Sequence, residues 1–159
     1  MALTRPTMTI HTPPADELIT IERVAVLQRV GLFAGVPGRE LVAVARLLEE
    51  VRVDAGTVVI ERGAIEDWMF VVARGEVGVD IDGEAVAHVT AGGVVGELAV
   101  LAPGPRAASV TALTPTLLLR LRREPFHEML EDHPEISRTL ITTLARKLQE
   151  SADERAASR

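Results

Sequence analysis

The sequence predicts a mainly β domain with flanking helices, a β jelly-roll barrel (double-stranded β-helix) between an N-terminal helical hairpin and C-terminal helices. Three observations predict it. The apolar period changes from about 3.6 to two near Val51 and returns to 3.6 after Arg122. Between those points, seven short apolar stretches alternate with Gly- or Asp-containing breaks, the spacing of a double-sheet or closed β architecture. That series is interrupted once, by a helix start and a Pro/Gly break over Gly92–Val110, GGVVGELAVLAPGPRAASV.

Taken in order, residues 1–14 are Thr/Pro-rich and aperiodic and read as a flexible tail. Residues 15–50 form the helical part. A first helix over Ala15–Val30 follows Pro13-Pro14, carries Asp16-Glu17 in its first turn and repeats Leu18, Ile21, Val24, Ala25 and Leu27 on one face. Gly31 ends it, Leu32–Pro37 turns, and a second helix is expected over Arg39–Glu50 with Leu41, Val44, Ala45 and Leu48 aligned. Residues 51–122 form the barrel, with strands expected at Val51–Val53, Thr57–Ile60, Trp68–Ala73, Glu76–Ile81, Glu84–Val89, Ser109–Leu113 and Thr116–Leu121. The breaks are Asp54-Ala55-Gly56, Arg62-Gly63, Arg74-Gly75 and Asp82-Gly83, the last a two-residue hairpin signal. Helix returns over residues 123–150, first with Phe126, Met129 and Leu130 on one face, then from Pro134 with Leu140, Ile141, Leu144 and Leu148 as the stripe. Residues 151–159 are polar and are expected to fray.

Composition narrows the function. The 159 residues, 47% apolar, suffice for a real core. There is no cysteine, which excludes disulfides, iron–sulfur clusters and thiol catalysis. A net charge of −6 argues against nucleic acid as a partner, because that affinity rests on neutralising phosphates. No apolar run approaches the roughly 20 residues of a membrane span, and no basic-then-apolar leader is present, so the expectation is a cytoplasmic protein without direct membrane insertion. His11, His88, His127 and His133 are scattered, with no pair at metal-ligand spacing, and no nucleophile stands with a base; no metal, no cofactor and no enzyme activity are expected.

The interrupted stretch carries the chemistry. N–H groups at a helix start sit in a positive field, and Gly96, Ala99, Ala107 and Ala108 let a ligand approach the backbone. Arg106 offers a planar fork of donors that fits a phosphate edge, although a turn with one solvated arginine would also read this way. Glu97, an acceptor, suits a sugar hydroxyl; it also suits a helix N-terminus on its own account.

The run Gly96-Glu97-Leu98-Ala99 followed by Pro105-Arg106-Ala107-Ala108-Ser109-Val110 resembles the phosphate-binding cassette of the cyclic nucleotide-binding domains, here residues 95–110. LFAGVPGRELVAVARLLEEVRV is similar to the helical bundle that precedes the barrel in that family, and Gly56, Gly63 and Gly75 fall where its barrel turns fall. The family often has an aromatic residue before the Gly-Glu, where this sequence has Val95. The resemblance implies that Arg106 pairs with the exocyclic phosphate, that Glu97 accepts from the ribose 2′-hydroxyl, and that Gly96, Leu98, Ala99, Ala107 and Ala108 act through backbone or steric permission. It implies that Ser109 offers a hydroxyl to phosphate or base and leans towards cyclic AMP over cyclic GMP. It implies a hinge in which Leu98 and Phe126 repack as the C-terminal helices swing over the nucleotide. Lys147 and Ser151 resemble base-contacting positions of the last helix, where a solvated helix face fits equally well.

The function expected is therefore a cyclic nucleotide sensor signalling through its C-terminal helices, as a homodimer or to an effector protein. A ligand-free interaction scaffold of the same fold, and the regulatory domain of a membrane transporter or channel, are the alternatives. The family's DNA-reading helix-turn-helix would follow the last helix, and the sequence stops at Arg159 without it.

Overall fold

A computed structural model describes residues 18–158. The expected tail over residues 1–14 and the first residues of the helix expected from Ala15 lie outside the described residues. Helix α1 (Thr20–Gln28), a 3₁₀ turn (Gly31–Phe33) and α2 (Gly38–Ala45) lead into β1 (Glu49–Val53), β2 (Val58–Ile60), β3 (Trp68–Arg74), β4 (Glu76–Ile81), β5 (Glu84–Thr90) and β6 (Val94–Val95). Then follow α3 (Glu97–Leu101), β7 (Ser109–Ala112), β8 (Thr116–Arg122), α4 (Arg123–Asp132) and α5 (Pro134–Ala157).

The strands lie in two four-stranded sheets, ordered β1-β8-β3-β6 and β2-β7-β4-β5. Pairing is nested and antiparallel: β4 with β5, β3 with β6, β2 with β7, β1 with β8. This is the jelly-roll winding, in two separate ladders rather than one closed barrel. The innermost hairpin turns on Asp82 and Gly83, both at positive φ, which lets two residues join strands paired at Ile81 and Glu84.

Two cores follow from strand alternation. On β3, Phe70 and Val72 point between the sheets with Val51, Val77, Val110 and Leu118, whereas Met69 and Val71 point outward beneath the helices with Leu27, Phe33, Leu41, Phe126 and Ile136. Strands β3 and β8 are thus buried on both faces, and their sequences WMFVVAR and TLLLRLR run apolar almost without alternation.

Several boundaries differ from the expectation. The second helix ends at Ala45 rather than Glu50, because Glu49 and Glu50 begin β1. Glu49 faces Arg120 across the ladder and binds it at 3.0 Å; the buried Glu50 carboxylate accepts the Leu18 N–H at 2.6 Å. Leu48 continued the helical spacing and hid the change. Residues 151–157, expected as a tail, continue α5, with a Gln149–Asp153 hydrogen bond at 3.2 Å one helical turn apart. The expected apolar stripe on α5 divides: Leu140 is buried, while Ile141 and Leu148 are exposed.

Candidate functional site

The stretch 95–110 is held at both ends by the roll. At its start, Val95 pairs with Phe70 and is buried between the sheets. Gly96 then caps α3 with φ +72°, and a Cβ there would lie 2.5 Å from Arg106 Nη1. Both the backbone angle and the space require glycine. At the far end, the Arg106 N–H donates to the Ala64 carbonyl and the Gly63 N–H donates to the Arg106 carbonyl, each at 2.8 Å. That pair of hydrogen bonds and the Ile65–Pro105 bridge fasten the segment to the β2–β3 connection.

Arg106 is buried at 6% exposure. Nη1 donates to the Gly96 carbonyl at 3.2 Å and Nη2 to the Trp68 carbonyl at 2.5 Å, while Nε lies 3.6 Å from Glu66 Oε1. The guanidinium stands 5.9 Å from the Trp68 ring centroid, and that of Arg120 stands 5.5 Å from the same ring. Burial pushes the Arg106 pKa down; the Glu66 carboxylate, and after it Asp67, pull it back up. An arginine in this setting stays charged. The site therefore presents a fixed buried cation whose fork is pre-oriented by two backbone carbonyls.

These elements enclose a cleft of about 620 Å³, within the usual range for small-ligand sites. Of the predicted residues, Val95, Gly96, Glu97, Leu98, Ala99, Arg106, Ala107 and Ala108 all line it. Among the described residues, no ion pair engages the Glu97 carboxylate. Leu98 stands in the cleft wall at 74% exposure.

Three predicted residues are elsewhere. Ser109 is the first residue of β7, and strand alternation turns it away from Val110, which lines the cleft. The Ser109 hydroxyl accepts the Arg62 N–H at 3.1 Å, and Ser109 is not among the residues that line the cleft. Lys147 is exposed on α5 beside the 3₁₀ turn, where a Cβ on Gly31 would lie 3.2 Å from its Nζ. Ser151 is exposed on the same helix, and α5 contributes no residue to the cleft. Phe126 is fully buried against Phe33, with ring centroids 6.2 Å apart.

Sequence reasoning missed Glu66, Trp68 and His127. Glu66 and Trp68 precede the cassette by some thirty residues and meet Arg106 only through the winding of the roll. His127 on α4 reaches the Val100 carbonyl of α3 at 2.9 Å; since a carbonyl only accepts, its Nε2 carries the proton. Among the described residues, no three His, Asp or Glu side chains are grouped to hold a metal ion. None of the helices described there is long and apolar enough to cross a membrane.

The cleft combines a buried arginine at its floor with glycine and alanine positions that leave the backbone accessible. The chain belongs to the cyclic nucleotide-binding domain family, which matches residues 50–133. It is 38% identical over 111 residues to the Pycsar effector protein XpPycTIR of Xanthomonas perforans, covering 69% of this chain and 36% of that protein. It is 30% identical over 129 residues to the CRP-like cAMP-activated global transcriptional regulator of Mycobacterium tuberculosis, covering 78% of this chain and 58% of that protein. The chain thus spans less than two thirds of either relative. Among solved structures, the N-terminal domain of a transcriptional regulator from Streptomyces coelicolor A3(2) superposes with a TM-score of 0.76 at 31% identity, covering 81% of this chain and 94% of that one.

Proposed function

We propose that the domain is a non-catalytic sensor that binds cyclic AMP in the cassette cleft and passes the event to α4 and α5. The observation that carries this is the convergence of Gly96, Glu97, Ala107, Ala108 and buried Arg106 on one cleft. In this reading the Arg106 fork takes the ring phosphate, Glu97 accepts from the ribose hydroxyl, and the small residues admit the ligand to the backbone. Similarity to a cAMP-activated regulator supports cyclic AMP over cyclic GMP as the ligand. Leu98 and Phe126 are the proposed hinge contacts, and His127 ties α4 directly to the cassette helix. The ligand favours whichever arrangement of the helices binds it better, by no more than its differential affinity. The output passes to an effector protein or through a second copy of the chain.

Titration calorimetry on nucleotide-stripped protein tests the reading. Cyclic AMP is expected to bind at micromolar or lower concentration and more tightly than cyclic GMP. Arg106→Ala is expected to weaken it by roughly ten- to a hundredfold, matching the about 1.5–3 kcal/mol of a hydrogen bond to a charged group. A folded protein, checked by its thermal transition, that takes up neither nucleotide would remove the sensor reading.

A further inference from the structure

We infer that the depression where α5 crosses the 3₁₀ turn, remote from the cassette, is a second anion site that takes a phosphate group. The depression has a volume of about 360 Å³ and is walled on one side by Arg138, Thr142 and Arg146 and on the other by Ala34 and Gly35. Arg138, Thr142 and Arg146 recur every four residues, so they share one edge of α5. The two arginines are eight residues apart, about 12 Å along the axis. Their side chains are long enough to converge over the Thr142 hydroxyl midway between them.

The floor is built to bring backbone close. Thr143 is buried and donates its hydroxyl to the Ala34 carbonyl at 3.1 Å, fixing α5 against the turn. Gly35 has φ +88°, a backbone angle that favours glycine, and a Cβ there would be in ordinary contact with the Thr139 methyl at 3.5 Å. Lys147, over Gly31, adds a third positive charge at the same joint.

The local charge is opposite to that of the chain, which carries −6 overall. Among the described residues, neither Arg138 nor Arg146 is held in an ion pair. Glu135, the acid in the first turn of α5, is engaged by His133 at 3.2 Å and also feels the Arg138 charge, without forming an ion pair with it. A carboxylate presents two oxygens in one plane and is satisfied by a single guanidinium fork. Two guanidinia approaching from opposite ends, with a hydroxyl between them, suit the tetrahedral oxygens of a phosphate. The Thr142 hydroxyl now donates to the Arg138 carbonyl at 3.0 Å and is exposed, so it is free to rotate towards an anion.

The test is a residue-resolved amide NMR titration of the full chain with inorganic phosphate, against sodium chloride at matched ionic strength. Saturable shifts at Gly35, Thr139 and Thr142 are expected. They are expected to persist in Arg106→Lys, which separates this site from the cassette, and to weaken at least tenfold in the double variant Arg138→Gln/Arg146→Gln. Both arginines are exposed, so the double variant keeps its fold. Equal shifts with chloride, shifts confined to Gly96 and Ala107, or undiminished binding by the double variant would each overturn the proposal.

Discussion

At the scale of single residues, glycines separate backbone angle from space. Gly56 and Gly75 share a φ of +88°, but a Cβ on Gly56 meets nothing within 4 Å, whereas one on Gly75 would lie 2.6 Å from the Pro115 carbonyl oxygen and from Thr116 Oγ1. The angle alone costs about 1–3 kcal/mol for an alanine. Urea unfolding is therefore expected to show Gly56→Ala losing about that much and Gly75→Ala clearly more, the difference measuring the steric contact; equal losses would refute it. The same distinction governs what was readable in the sequence. Gly96 and Arg106 were legible because motif and geometry coincide in one short segment. Ser109 was legible only as part of the motif, because a motif records proximity along the chain, while the pleat decides which side of β7 each residue faces. Glu66 and Trp68 carried no local signal, since their relation to Arg106 exists only after the strands have paired.

At the scale of elements, α4 is the joint between roll and long helix. Phe126 is fully buried and meets Phe33 edge to face, while Leu98 on α3 is 74% exposed. Phe126→Ala is expected to cost about 3–5 kcal/mol in chemical denaturation. Leu98→Ala is expected to remain within about 0.5 kcal/mol of the parent. A large stability loss from Leu98→Ala would show that its apolar surface is already buried without ligand. The strands were legible from Gly-punctuated alternation, and β4 was placed to the residue. The two-residue β6 escaped because two valines beside a helix start have no period of their own. The far end of α5 was read as a tail from its polar composition, although Ala152, Glu154, Arg155, Ala156 and Ala157 are good helix formers.

At the scale of the molecule, the two cores divide the labour. One holds the sheets together; the other fastens the helices onto the outer face of β3 and β8. The cassette helix touches the second through Val100. Hydrogen exchange is therefore expected to show cyclic AMP changing protection in α4 and α5 as well as in 95–110, while β1, which contributes no residue to the cleft, stays unchanged. Protection changes restricted to the cassette would show that the helices do not sense the ligand. The jelly-roll class itself was visible in the sequence, because seven short strands leave few other ways to bury Val- and Leu-rich stretches that need both faces covered.

Trp68 is the one tryptophan of the chain. Its carbonyl accepts from the Arg106 guanidinium, and the cations of Arg106 and Arg120 both stand within 6 Å of its ring centroid. Indole emission responds to the electric field across the ring, and the guanidinium at the floor of the cleft contributes to that field together with the one on Arg120. Occupancy of the cleft is therefore expected to change the intrinsic emission of Trp68, measurable at high dilution with no label attached to the protein or the nucleotide.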